Sequence, residues 1–268
     1  MHPLPLQTSE PTVGAPISVG ALLRREGRAR HAADRPLLPR GHSRPEPAPP
    51  RHNVRKATAA GIPVFLVNAE INESGIAIAQ LVSNNAQGAA LGAVQFQSLV
   101  GDAATYVEFF GNPADNNAAT RSNGYETVLS QYPDLEKAAE EVANWDRTQG
   151  YNKMQSIIQA NPEIDAVISG NDEMALGAIA ALKEAGKLEG VVVGGFDGSP
   201  DAVEAVKAGE MAYTVLQPVA VFSREAVIQA DYYIKNGTPM VSEEKQLFDC
   251  LLITPDNVAD YTAAFTLS

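Results

Sequence analysis

From Gly61 to Asn236 the chain alternates short β-rich runs with stretches of helical periodicity, and this alternation limits the fold more than any other feature. IPVFLVN (Ile62–Asn68) reads as a buried strand entered through Gly61 and Pro63. A helix follows over about Asn84–Val100, small and apolar on one face. Thr105–Gly111 is a strand, and Ala118–Gln131 is a helix ended ahead of Pro133. Glu140–Trp145 is a strand, and Tyr151–Ala160 is a helix with Met154, Ile157 and Ile158 on one stripe. Asp165–Gly170 is again a strand, and Asp172–Ala185 a helix closed by Gly186 at its C′ position. Val191–Phe196 is another strand, after which Ser199 and Pro200 open a short helix that Gly209 ends. Ala212–Gln217 is a strand and Val219–Asn236 a helix stopped by Gly237. Strands that are apolar on both faces and spaced by amphipathic helices require a parallel sheet flanked by helices. The fold class is α/β.

Residues 1–55 are a different kind of polypeptide. They hold nine of the twelve arginines against four acids, ten of the eighteen prolines and all four histidines (His2, His31, His42, His52). With no hydrophobic periodicity and too many prolines for a helix or central strand, the segment reads as a disordered, basic, Pro/Arg-rich tail. The alternative is a basic arm for nucleic acid or acidic lipid, but no aromatics interleave the arginines to stack on bases. Enrichment in Arg, Pro, Ala, Gly and His also matches an out-of-frame reading of GC-rich DNA. ISVGALL is a short apolar run with arginines behind it rather than ahead, which makes a poor secretory signal. The whole chain carries a net charge of −12, so the body is strongly acidic and no nucleic-acid partner is expected.

The same asymmetry excludes whole classes of chemistry. With every histidine in the tail and a single cysteine, Cys250, the body can build no Ser-His-Asp triad, Cys–His pair, histidine metal site or disulfide framework. No metal and no cofactor is expected. No apolar run approaches the ~18 residues of a membrane-spanning helix. A carboxylate-pair glycosidase stays open, with Asp172–Glu173 as the tempting pair. Adjacent helical residues point about 100° apart, however, so these two cannot flank one bond.

In open α/β sheets, ligands sit beyond the carboxyl ends of the strands. That rule selects Asn68, Gly111–Asn112, Trp145, Asn171, Asp197 and Gln217, with Arg121 on the helix after the second strand. Carboxamides and a carboxylate can donate to and accept from vicinal hydroxyls, an indole can stack on the C–H face of a sugar, and a guanidinium supplies a rigid fork of donors. Each residue also has a plainer reading. Trp145 can be core, Asn171 and Asp172 can cap their helix, Asp197 can be a turn acid and Arg121 a solvated helix residue.

Several segments in order resemble a known family. SGNDEMALGAIAALKEAG (Ser169–Gly186), VVVGGFDGSPDAVEAVKAGE (Val191–Glu210) and YTVLQP (Tyr213–Pro218) look like the ribose-type periplasmic sugar-binding proteins. The same fold serves as effector domain in lactose-repressor-type regulators. GIPVFLVNAE, LVSNNAQGA, NNAATRSNGYETVL and ANWDRTQGYNKMQSIIQANPEIDA fit the same family upstream, so the resemblance covers residues 57 to about 265. It implies a two-lobed type I periplasmic-binding-protein fold with an incomplete first lobe, in a chain truncated or mis-started at its N-terminus. Residues 56–83 and 218–246 would be the remnant of that lobe, and 84–217 with 247–268 the second lobe and a crossover strand carrying Cys250.

The resemblance also assigns ligand-binding residues: Arg121 in RSNGY, Trp145 in NWDR, Asn171 in NDEMA, Asp197 in GFDG, and Gln217 after the next strand. Ser83 matches a position near the sugar, and Asn68 replaces the acidic ligand that normally ends its strand. With Asn112, these form the expected site. The implied function is non-catalytic binding of a small monosaccharide or polyol in the periplasm, as the substrate-binding component of a bacterial ABC-type uptake system whose membrane permease is its partner. The alternatives are the regulator's effector domain and the glycosidase. The first needs a helix-turn-helix that the proline-rich tail does not offer.

Overall fold

The computed structural model describes residues 50–267 apart from residue 162. The tail reading over residues 1–49 lies outside the described residues. Residues 50–55, which composition assigned to that tail, instead begin helix α1 (Pro50–Ala59). Pro50 opens the helix, where a missing N–H costs nothing, and no later proline interrupts it. Val54 is buried, and Arg55 is paired with Glu73 across the following loop.

Two sheets follow. The smaller is wholly parallel, in the order β1 (Phe65–Val67), β2 (Ala79–Ser83), β8 (Lys245–Phe248). Helix α7 (Val219–Asn236) covers it, burying Phe222, Ala226 and Ala230 with Phe65 and Leu81. β1 starts three residues later than the apolar run suggests, because the Ile62 N–H is taken by the Ala57 carbonyl at 3.0 Å in the turn after α1. β2 is fully buried yet absent from the sequence reading. Gln80 at its centre breaks the apolar run, and is accommodated by accepting from the Ile71 N–H at 2.9 Å and donating to Glu244 at 3.0 Å.

The larger sheet has six strands in the order β4 (Asp134–Val142), β3 (Ala103–Phe110), β5 (Ala166–Ser169), β6 (Val192–Asp197), β7 (Tyr213–Leu216), β9 (Leu251–Ile253). All its pairs are parallel except the edge pair of β7 with β9. Residues alternate between its faces with the period of two expected of strands. Val107, Phe109, Val167 and Val193 face α4 (Arg147–Ala160), α5 (Asp172–Glu184) and α6 (Pro200–Lys207). Tyr106, Ile168, Phe196, Tyr213 and Val215 face α2 (Asn85–Val100) and α3 (Asn116–Leu129). β4 lies six residues upstream of its expected start at Glu140. It is an edge strand with charges on it, Lys137 reaching Glu108 at 2.8 Å and Glu140 at 2.9 Å, so it carries little apolar signal. The described residues end in a hairpin, β10 (Tyr261–Ala263) with β11 (Thr266–Leu267).

The late run Gln246–Ile253 is not one strand but two, β8 and β9, in different sheets. Between them the peptide groups find side-chain partners. The Cys250 N–H donates to Gln87 Oε1 at 2.9 Å, the Gln87 amide donates to the Cys250 carbonyl at 3.3 Å, and Asn84 donates to Asp249 Oδ1 at 2.9 Å. The sheets are therefore joined by three segments: Ser83–Asn85, Gln217–Val219 and Phe248–Leu251. Among the described residues, no helix is long and apolar enough to cross a membrane.

Helices α4 and α5 meet backbone to backbone. A Cβ on Gly177 would sit 2.2 Å from the Arg147 carbonyl oxygen, and one on Gly150 would sit 2.6 Å from that of Met174. Neither neighbour is a flexible side chain. Gly177→Ala is expected to destabilise the fold by about 1–3 kcal/mol despite alanine's better helix propensity. A thermal melt checks this, and an unchanged Tm would show that the two helices can part freely.

Candidate functional site

The carboxyl ends of the larger sheet's strands open onto a cavity of about 210 Å³. Six residues expected from the sequence line it: Asn68, Arg121, Trp145, Asn171, Asp197 and Gln217. Asn68 follows β1 of the smaller sheet, so the cavity lies between the sheets. Ser83 and Asn112 are not brought to it. Ser83 is buried at the end of β2, and the Asn112 carboxamide turns back to accept from the Ala114 N–H at 2.8 Å.

Arg121 is the centre of the arrangement. It is almost fully buried on α3, so it is not the solvated helix residue of the plainer reading. Its Nε donates to Asn85 Oδ1 at 2.8 Å, and its Nη1 donates to the Gly170 carbonyl at 2.6 Å and to Asp197 Oδ1 at 3.0 Å. The guanidinium carbon lies 3.8 Å from the Phe196 ring centroid and 5.3 Å from that of Trp145. Two aromatic faces and a carboxylate thus neutralise and desolvate one cation. Gln217 Nε2 donates to the same Asp197 oxygen at 2.6 Å.

Trp145 rests on bare backbone. A Cβ on Gly111 would fall 2.1 Å from its Cη2, and one on Gly170 3.2 Å from its Cζ3. Glycine at the ends of β3 and β5 is therefore what leaves room for the indole. The ring packs on the core below while lining the cavity, so core and platform are both part of its role. Asn171 likewise does two things. Its Oδ1 caps α5 by accepting from the Met174 N–H at 2.9 Å, and its Nδ2 donates to the Trp145 carbonyl at 3.4 Å.

Two observations set this cavity apart. The first is strain: among the described non-glycine residues, five have positive φ, and three of them line the cavity, Asn68 at 64°, Trp145 at 64° and Asp197 at 128°. Such conformations cost about 1–3 kcal/mol each and persist only where the surroundings impose them. The second is unmet hydrogen bonding. Among the described residues, four buried side-chain atoms have no hydrogen-bond partner: Ser83 Oγ, and three in residues that line the cavity, Asn68 Oδ1, Trp145 Nε1 and Gln217 Oε1. Buried polar atoms are normally paired, so the two acceptors and one donor at the cavity depart from the rule together.

Sequence reasoning missed three contributors. Asp115 and Asn117 line the cavity, and Phe196 supplies the ring under Arg121. Asn117 accepts from Asn85 at 3.1 Å and donates to the Asn68 backbone carbonyl at 3.4 Å, tying both sheets to one carboxamide. Its signal was present, because it lies one helical turn before Arg121 and so on the same face.

Beneath the cavity, Asp172 is completely buried. Burial, and then the charge of Asp197, push its carboxyl from the ordinary 3.8 up to about 8, against the pull of hydrogen bonds from Thr214 and Ser199. Asp197 is also raised by burial, which outweighs the lowering by Arg121 and Gln217. Glu173, by contrast, is held at the surface by Arg147 with two 2.8 Å bonds, so the neighbouring acids diverge as helical geometry requires.

The periplasmic binding protein domain family matches this chain over residues 46–238, and the chain belongs to that family. It is 49% identical over 205 residues to the D-apiose import binding protein of Actinobacillus succinogenes, covering 76% of this chain and 66% of that one. It is 34% identical over 182 residues to the ribose import binding protein of Salmonella typhimurium, covering 68% of this chain and 60% of that one. The chain thus spans 66% and 60% of the length of these two curated relatives, less than two thirds of either. Among solved structures, an ABC transporter solute binding protein from Bacillus halodurans with bound myo-inositol superposes with a TM-score of 0.72 at 30% identity, covering 78% of this chain and 71% of that one.

A carboxyl that binds its proton more tightly folded than unfolded favours the folded state less as pH rises. Stability is therefore expected to fall between about pH 4 and pH 8 on account of Asp172, by up to about 1.4 kcal/mol per pH unit. Urea denaturation across this range checks it. Asp172→Asn should reduce the slope, leaving the part of the same sign that buried Glu108 and Asp197 contribute. An unchanged slope in that variant would assign the pH dependence elsewhere.

Proposed function

We propose that this protein binds one small sugar or polyol in the cavity between its sheets, as the substrate-binding component of an ABC-type import system, and performs no chemistry on it. The observation that carries this reading is the set of unpartnered buried atoms around an indole and a carboxylate. Asn68 Oδ1 and Gln217 Oε1 would accept from ligand hydroxyls, Trp145 Nε1 would donate to one, and Asp197 would accept from a vicinal pair. The indole face would cover the ligand's C–H face. At ~30 Å³ per water, the cavity equals about seven waters, a volume on the scale of one monosaccharide rather than a chain of them.

The relatives narrow the class. Those named for D-apiose, ribose and xylitol share a five-carbon, hydroxyl-rich ligand, and the D-apiose proteins have the higher identity. A five-carbon sugar or polyol is accordingly the expected ligand, D-apiose first. Family membership supports a periplasmic or other extracytoplasmic location and a membrane permease as partner. Ligand would draw the two sheets together, a closure taken up by the three connecting segments.

Calorimetric titration with D-apiose, D-ribose and xylitol tests the reading. Binding of at least one should also change the emission of Trp145, the single tryptophan of the chain. Loss of Asp197 removes a charged acceptor worth about 1.5–3 kcal/mol per bond, so Asp197→Ala should weaken binding at least about tenfold. Absence of binding by every sugar at millimolar concentration, in a chain that melts cooperatively, would overturn the proposal. Normal affinity in folded Asp197→Ala would return Asp197 to the role of a turn residue.

A further inference from the structure

The turn that presents Asp197 is gripped from behind by a side chain that does not line the cavity. Asp172 begins α5, but the helix is already capped by Asn171, and the Asp172 carboxyl leaves its own helix for the neighbouring turn. Its Oδ2 accepts from the Ser199 N–H at 2.7 Å, and its Oδ1 accepts from Thr214 Oγ1 at 2.6 Å. Thr214, fully buried on β7, accepts in turn from the Gly198 N–H at 3.2 Å. The Tyr261 hydroxyl takes the remaining side, donating to the Gly198 carbonyl at 3.0 Å. Both residues after Asp197 are thus fixed through their backbone, by groups from α5, β7 and the C-terminal hairpin.

Two glycines make this grip possible. A Cβ on Gly195 would lie 2.3 Å from Asp172 Oδ1, so only a bare strand lets the carboxyl lie against β6. Gly198 has φ of +69°, and a Cβ there would lie 2.8 Å from the Leu216 Cα. Between them, Asp197 is held at a φ of 128°, a conformation it would not keep if the turn were free to relax. Burying a carboxyl to tie two loops is costly, and the cost falls where it orients a residue of the cavity.

We propose that Asp172, acting with Thr214, is a positioning residue for ligand binding: it imposes the turn that directs the Asp197 carboxylate at Arg121, Gln217 and the ligand. The proposal rests on the reading that Asp197 contacts the ligand. It predicts that affinity depends on two residues that touch no ligand.

Thr214→Val keeps shape and removes the hydroxyl, leaving Asp172 Oδ1 and the Gly198 N–H unpartnered. Asp172→Ala removes both oxygens that hold Ser199 and Thr214, and serves as the second variant should the first fail to fold. Thr214→Ser restores the hydroxyl. The expected result is a Kd for D-apiose weakened about tenfold or more by Thr214→Val and by Asp172→Ala, with Thr214→Ser within about threefold of the parent. In ligand-free crystal structures, the first two variants should lose the Asp197–Arg121 contact and Thr214→Ser should keep it. A purely structural role would lower Tm and leave both readouts unmoved, and that outcome overturns the proposal. Since the crystal structures need no sugar, failure of D-apiose to bind the parent would count against the proposed ligand alone, and the Asp197 geometry would still decide the role of Asp172.

Discussion

A cation buried among apolar side chains must be compensated, and Arg121 is the point at which this molecule meets that demand. Removing a guanidinium from water is affordable only with good partners on all sides. Here they come from α2 through Asn85, from β5 through the Gly170 carbonyl, and from β6 through Asp197 and the Phe196 face. Asp197 needs Arg121 as much as Arg121 needs Asp197, since both charges are largely withdrawn from solvent. The strands that end at this point are spaced by their ladders, so the ion pair fixes side chains onto a framework that is already rigid. Trp145 closes the remaining side, seated on Gly111 and Gly170.

Much of this was legible in the sequence, for definite reasons. Helices were readable where an apolar stripe coincided with a good cap, as at Asn171 and at Ser199–Pro200, and α7 ran from Val219 to Asn236 as its pattern and Gly237 indicated. Strands buried on both faces announced themselves as apolar runs, and strand carboxyl ends then located five of the cavity residues, with Arg121 on the helix after one of them. The failures were strands with polar residues in the wrong places for that rule. β2 carries a buried Gln80 satisfied by Glu244, a residue 164 positions away that no local pattern foresees. β4 is charged because it is an edge. The break between β8 and β9 is written in Asn84 and Gln87, far from the residues it interrupts.

Site residues divided along the same line. Those at strand ends followed from topology, whereas Ser83 and Asn112, equally near strand ends, turned elsewhere because their side chains were buried or taken by the local turn. Asp172 shows the opposite case. Its neighbours in sequence suggested a capping acid or half of a catalytic pair, and only the fold reveals that it spans to Ser199 and Thr214.

The segments joining the sheets carry a mechanical consequence. Two of them, Ser83–Asn85 and Phe248–Leu251, are laced together where the Asn84 N–H donates to the Phe248 carbonyl at 2.7 Å and Gln87 clasps Cys250 from both sides. The smaller sheet is thus joined to the larger through cross-bonded segments rather than through independent loops. The third segment leaves the larger sheet at Gln217, whose amide already holds Asp197. Joint and cavity wall are therefore one continuous piece of chain, and a single carboxamide belongs to both.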